Sequence, residues 1–215
     1  MPKKRNGTPR RAATEVRFDV KLVVGLGNPG RRYAPTRHNA GFRIAERFAD
    51  DHGIDLSRRR FAGRLGCGQL LGHGGEGIDV CVLEPETFMN HSGESVASAL
   101  RELPVEHPDQ DLLVVLDDVD LPFGRLRIRP AGGSGGHRGL ESIIACLGSE
   151  VFPRLRFGID RPADALDTAE YVLEEFSPSE AAGLDEYVAN AANALEAMVV
   201  DGIRAAMNRY NGELR

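Results

Sequence analysis

Short apolar runs alternate with amphipathic stretches along most of this chain, and that alternation constrains the fold more than any other feature. The segments from Val20 to Leu26, Ile78 to Leu83, Leu112 to Leu116 and Leu155 to Ile159 are dense in Val, Leu and Ile and too short for helices. Such runs read as buried strands. Arg64 to Leu71 reads as another strand, joined to Ile78–Leu83 by the turn Gly72-His73-Gly74-Gly75-Glu76-Gly77. Arg125 to Arg129 alternates Arg with apolar residues, as a strand with one wet face does. Between these lie helical patterns: His38 to about His52, Met89 to Leu103 and Gly136 to Leu147. A single long helix is expected over 178–209, with Ser177 as N-cap and Pro178 in its first turn. Strands alternating with helices imply an α/β sheet covered on both faces.

Residues 1–17, rich in Lys, Arg, Gly, Pro and Thr, read as a disordered basic tail, followed by one domain over 18–212. A hydrophobic content of 41% and a charged content of 27% fit a soluble globular protein. No apolar run approaches the roughly 18 residues of a membrane span. The basic N-terminus lacks a following apolar segment, so it does not read as a secretory signal. Cys67, Cys81 and Cys146 are widely spaced without a C-x-x-C pattern, which leads to the expectation of buried, reduced thiols in a cytoplasmic protein.

The net charge of −5 is unevenly distributed. Residues 1–64 carry 16 basic and 6 acidic side chains, residues 65–120 carry 1 and 12, residues 121–162 carry 7 and 3, and residues 163–215 carry 3 and 11. A basic face on an acidic body is therefore allowed, and with it a polyanionic partner. The basic residues are nearly all Arg, which suits bidentate phosphate contacts.

Polar groups gather at the expected strand ends: Asn28 and His38 after the first strand, Asn90 after the third, Asp117 at the end of Leu112–Leu116. One imidazole, one carboxylate and two carboxamides make a plausible water-activating set. His38 stands at a helix start, where the dipole favours a neutral base, and Asp117 is the candidate to orient it. Other readings of the motifs are weaker. Gly25-Leu26-Gly27-Asn28-Pro29-Gly30 matches a dinucleotide fingerprint, but Pro29 and Pro35 delay the helix that should meet a pyrophosphate. Gly132-Gly133-Ser134-Gly135-Gly136 matches a nucleophile elbow, but only His137 follows Ser134, three residues later, so the chain order of a triad fails. Asp117, Asp118 and Asp120 lack obvious further ligands for a divalent ion, so neither a metal nor another cofactor is expected.

The blocks V-V-G-L-G-N-P-G-R-R-Y-A-P-T-R-H-N-A-G, L-E-P-E-T-F-M-N-H-S-G, V-L-D-D-V-D-L-P-F-G and G-G-S-G-G-H-R-G-L, in this order, resemble the bacterial peptidyl-tRNA hydrolase family over roughly residues 20–210. The resemblance implies a single-domain three-layer α/β/α sandwich around a mixed, twisted sheet. It also implies cleavage of the ester between a peptide and the 3′ end of tRNA by a cytoplasmic monomer. His38 then matches the catalytic base and Asp117 its partner. Asn28 and Asn90 match substrate-gripping carboxamides, Tyr33 a residue beside the acceptor end, and Asn39, Phe88 and Met89 residues of the cleft. Two positions depart from the family pattern. Arg138 replaces an Asn that contacts substrate, and Glu175 stands near a usual basic residue in the lid segment Tyr171–Phe176. Phosphate contacts are therefore expected from Arg125, Arg127, Arg129, Arg154 and Arg156. A homologue that binds RNA without hydrolysing it is the alternative reading.

Overall fold

The computed structural model describes residues 20–161 and 167–212. The expected tail over 1–17 lies outside these residues. The strands are β1 (Lys21–Gly25), β2 (Arg58–Arg60), β3 (Gly63–Leu71), β4 (Gly77–Pro85), β5 (Leu112–Asp118), β6 (Leu126–Arg129) and β7 (Arg154–Gly158). The helices are α1 (Ala40–Asp51), α2 (Ser92–Glu102), α3 (Pro108–Asp111), α4 (Arg138–Leu147), α5 (Thr168–Tyr171), α6 (Pro178–Val200) and α7 (Ile203–Tyr210). Short 3-10 turns, Arg37–Asn39 and Met89–His91, precede α1 and α2.

The seven strands form one mixed sheet in the order β2-β3-β4-β1-β5-β7-β6. β4, β1, β5 and β7 run parallel; β2, β3 and β6 are antiparallel to their neighbours. Side-chain alternation divides the core into two layers. Val23, Val82, Val115 and Phe157 face the layer of α1 and α6. Leu22, Val24, Leu83 and Leu116 face the layer that includes α2 and α4. This is the expected three-layer sandwich. After β1 the chain builds one half of the sheet, β2 to β4. It then crosses to the other side of β1 to build β5 to β7. The C-terminal end of β1 is thus a topological switch point, where open α/β sheets place their ligands.

Close approach of α1 to the sheet fixes the turn before it. A methyl group added at Gly41 would lie 2.5 Å from the carbonyl oxygens of Leu26 and Val115, so only glycine lets this helix sit so near β1 and β5. At the other end of the chain the expected single helix is broken. Gly202 adopts φ 84°, which ends α6 and redirects α7 against β6. There the Asn211 side chain accepts from Ile128 N–H at 2.7 Å and donates to Ile128 O at 3.0 Å, satisfying backbone groups of an edge strand. The start of α6 is as expected. Ser177 and Glu180 close a capping box, with Pro178 in the first turn.

The thiols are not as expected. Cys67 and Cys81 form a disulfide across β3 and β4, where the strand register pairs them, and Cys146 is exposed. The cysteines consequently give no argument for a reducing compartment. Among the described residues no helix is long and apolar enough to cross a membrane.

Candidate active site

Three strand ends converge on one cleft of about 640 Å³. The loop after β1 carries Asn28 and Tyr33, the segment after β4 carries Phe88, Met89 and Asn90, and Asp117 is the last residue but one of β5; all of them and His38 line the cleft.

The loop after β1 is tied into a fixed shape. Asn28 N–H donates to Asn39 Oδ1 at 2.9 Å, and Asn39 Nδ2 donates back to Asn28 O at 3.0 Å. Asn28 Oδ1 accepts from Met89 N–H at 2.9 Å, which joins this loop to the one after β4. The oxygen of Asn28 is therefore used internally, and its amide NH₂ is the end that remains to donate. Asn39 was expected to line the cleft. It does not: it is buried, and both ends of its carboxamide serve the Asn28 backbone.

His38 lies in the 3-10 turn, 8% exposed, and its Nδ1 sits 2.9 and 3.0 Å from the two oxygens of Asp117. With Nδ1 donating to the carboxylate, Nε2 carries the lone pair. Burial disfavours the imidazolium, but the Asp117 charge and hydrogen bond outweigh burial and the opposing charge of Arg138, so the pKa of His38 is raised above 6.5. Burial likewise opposes ionisation of Asp117, yet His38 and His137 hold it far below the usual carboxylate range. His137 reaches the same carboxylate, with Nε2 3.1 Å from Oδ1. Ligand-type atoms of His38, Asp117 and His137 lie within 4.8 Å of one another, a proximity that these hydrogen bonds account for. The neighbouring acids are engaged elsewhere: Asp118 pairs with Arg156 at 3.0 Å and Asp120 with Arg161.

The segment 171–176 is anchored to the His38 turn. His38 N–H donates to Val172 O at 2.8 Å, Arg37 N–H to Glu174 O at 3.0 Å, and Thr36 bridges to Glu175. The buried Arg37 side chain adds bonds to Glu175 O at 2.8 Å and Glu180 Oε2 at 2.7 Å, and it stacks over the Tyr171 ring at 4.2 Å. Val172, Leu173 and Phe88, the last 58% exposed, are apolar members of the cleft lining.

Arg138, at the start of α4, is exposed and lines the cleft. Arg125, Arg127 and Arg129 alternate with buried Leu126 and Ile128, as the period-two reading requires. Arg127 stands opposite Arg156 in register, and Arg156 also lines the cleft. Arg125 reaches Asn211 O at 3.4 Å. Arg154 does not belong with the phosphate candidates. It is 2% exposed, and its guanidinium donates to the carbonyls of Phe152, Gly132 and Glu150, so it holds two loops together instead. Sequence reasoning also missed His137 as a member of the site, having weighed it only as a partner for Ser134.

A buried His–Asp pair in one cleft with two carboxamides, at the switch point of a mixed α/β sheet, is an arrangement suited to activating water. Comparison with known proteins makes the assignment specific. The family model described as Peptidyl-tRNA hydrolase matches residues 22–215. The Chloroflexus aggregans peptidyl-tRNA hydrolase is 47% identical over 190 residues, covering 88% of this chain and 98% of the relative. The Symbiobacterium thermophilum enzyme is 48% identical over 192 residues, covering 89% and 99%. The crystal structure of the Acinetobacter baumannii peptidyl-tRNA hydrolase superposes with a TM-score of 0.79 at 36% identity, covering 91% and 96% of the two chains. A structure of a peptidyl-tRNA hydrolase complexed with n-propanol gives a TM-score of 0.80 at 37% identity, covering 90% and 95%. The chain belongs to the peptidyl-tRNA hydrolase family, and its activity is hydrolysis of peptidyl-tRNA.

Proposed function

We propose that hydrolysis proceeds by direct attack of water on the peptide–ribose ester, with His38 as general base. The observation that carries this reading is the His38–Asp117 pair: Nδ1 is held between two carboxylate oxygens at 2.9 and 3.0 Å, leaving Nε2 as the basic atom of a ring that lines the cleft. His38 Nε2 takes a proton from water as the water oxygen bonds to the ester carbonyl carbon. Collapse of the tetrahedral intermediate breaks the bond to the ribose oxygen, which leaves with the proton returned by His38. Asp117 keeps Nδ1 protonated and stabilises the imidazolium formed in between. Asn90 places the water and the carbonyl, and the amide NH₂ of Asn28 donates to a carbonyl of the peptide. Tyr33, Phe88 and Met89 line the path of the acceptor end and the peptide.

Arg156, which lines the cleft, and Arg127, opposite it in register, contact tRNA phosphates together with Arg129 on the same face of β6. Arg125 immediately precedes β6, and Arg138 reaches the acceptor end. The enzyme acts as a monomer. Its place of action is cytoplasmic, an inference that follows from the substrate and not from the cysteines.

The test is Asp117→Asn together with a search for a covalent adduct. Hydrolysis of an N-blocked aminoacyl-tRNA should fall by roughly two to four orders of magnitude in the variant, as for loss of base orientation. Intact mass spectra of acid-quenched wild-type enzyme should show no acyl adduct at any point of a single turnover. An adduct that forms and decays at the turnover rate would overturn direct attack by water.

A further inference from the structure

The structure places a second imidazole on the Asp117 carboxylate, and its hydrogen bonds assign the tautomer. His137 is the N-cap of α4, and its Nδ1 accepts from Leu140 N–H at 3.2 Å. That bond requires a lone pair on Nδ1, so the ring proton sits on Nε2. Nε2–H then donates to Asp117 Oδ1 at 3.1 Å. Packing keeps the ring in place: its side chain is 7% exposed, and a methyl group added at Gly139 would lie 3.2 Å from His137 Cε1. The two imidazoles stand 4.9 Å apart, each with an N–H directed at the same carboxylate.

We propose that His137 is a positioning residue for the hydrolysis. Its tautomer is locked by the α4 backbone, and its Nε2–H both fixes the rotation of the Asp117 carboxylate and limits how strongly that carboxylate raises the basicity of His38. A carboxylate with one donor can swing about its Cβ–Cγ bond; one with two donors from different elements cannot do so without breaking a bond. Its charge is also shared. The part of it that satisfies His137 is less available to stabilise the His38 imidazolium, so a larger fraction of His38 stays neutral and able to take a proton.

The remaining charged and titratable groups around His38 do not duplicate this role. Arg37, next in its own turn, is directed to Glu174, Glu180 and Tyr171. Asp118 is paired with Arg156, and Asp120 with Arg161. Arg138 faces His38 as a cation and lowers its basicity, but it makes no hydrogen bond with Asp117 among the described contacts. Tyr33 and Asp167 line the cleft further out.

Two substitutions separate the cap from the donor. Asn is among the best N-caps but is too short to reach Asp117, so His137→Asn keeps the helix start and loses the second donor. Gln is a poor cap but long enough to donate to the carboxylate, so His137→Gln does the reverse. The imidazole titration of His38 is read by NMR, its signal identified by loss in His38→Ala, alongside kcat, KM and melting temperature. In His137→Asn the His38 midpoint should rise by about half a pH unit. Its kcat should fall by about tenfold with KM within about twofold, and its melting temperature should stay within about 2 °C of wild type. In His137→Gln the His38 midpoint should stay near wild type while the melting temperature falls. A His38 midpoint unmoved in His137→Asn, or moved equally in both variants, would overturn the proposal and leave His137 as a helix cap alone. The rate effect rests on His38 being the general base, whereas the NMR midpoint does not. A shifted midpoint in a protein whose hydrolysis ignores His38→Ala would overturn both the general-base reading and the positioning role in hydrolysis, leaving only the hold of His137 on the Asp117–His38 pair.

Discussion

At the scale of single residues, the site depends on where hydrogen-bonding capacity is spent. Asn28 and Asn39 are both buried carboxamides in one short loop, yet Asn39 uses its two ends on the Asn28 backbone and Asn28 keeps an amide for the cleft. His38 is the residue whose charge state should govern the rate. Its pKa is raised above 6.5, because the Asp117 charge and hydrogen bond outweigh burial. A base works only when neutral, so kcat/KM should fall as pH drops through a midpoint above 6.5, and a pH–rate profile on N-blocked aminoacyl-tRNA reads it. A midpoint below 6.5 would mean that burial wins over Asp117, or that another group carries the proton. His38, Asp117, Asn28 and Asn90 were legible as neighbours because each closes or follows a strand-like run, and parallel strands bring such ends together. His137 was not legible in that role. Its part depends on a cap bond and on a contact across 20 positions of sequence, neither of which leaves a pattern. Arg154 was misread for a related reason. Period two gives the face on which a side chain lies but says nothing of the loops that cover it.

At the scale of elements, hydrophobic periodicity located the main strands and helices, and it failed where the backbone departs from regular geometry. The break at Gly202 interrupts a pattern that is apolar enough to continue, and the three- and four-residue elements β2, α3 and α5 are too short to show any period. The disulfide could have been found. Counting back from the turn pair Leu71–Gly77 sets Cys67 opposite Cys81, but cysteine spacing alone does not reveal a hairpin register. Packing of β4 against α1 and β3 creates a further measurable effect. Glu84 is fully buried, 3.0 Å from Arg64, with both carboxylate oxygens lacking a hydrogen bond. Burial and the charge of Glu46 raise its pKa from 4.5 to about 8, against the pull of Arg64, with Asp50 adding to the rise. Between those values the folded protein holds a proton that the unfolded chain has released, so this group makes stability fall as pH rises. Glu84→Gln removes that dependence. Urea unfolding should show the variant gaining on wild type between about pH 5 and about pH 9, by at most about 5 kcal/mol. A difference that is flat across this interval would show that Arg64 keeps Glu84 ionised throughout.

At the scale of the whole molecule, the proposed tRNA contacts of an acidic protein rest on local arginines and not on overall charge. The net charge of −5 coexists with Arg156 of β7 in the cleft lining and Arg127 of β6 opposite it in register. Phosphate contacts release counterions, so tRNA affinity should fall steeply with salt. Arg127→Ala and Arg156→Ala should each weaken binding to all tRNAs alike and flatten the salt slope by something under about one unit. Arg154→Ala should instead lower the melting temperature, since its guanidinium joins the loops at Gly132 and Glu150. An unchanged salt slope in both surface variants would move the tRNA footprint to another face. The central claim, that this fold brings His38 and Asp117 together to hydrolyse peptidyl-tRNA, is tested most directly by one comparison. Purified wild-type protein and His38→Ala are incubated with N-blocked aminoacyl-tRNA, and release of free tRNA is followed. Multiple turnovers are expected from the wild type, and a loss of roughly two to four orders of magnitude in the variant with tRNA binding retained. A variant that keeps more than about a tenth of the wild-type rate would contradict that claim.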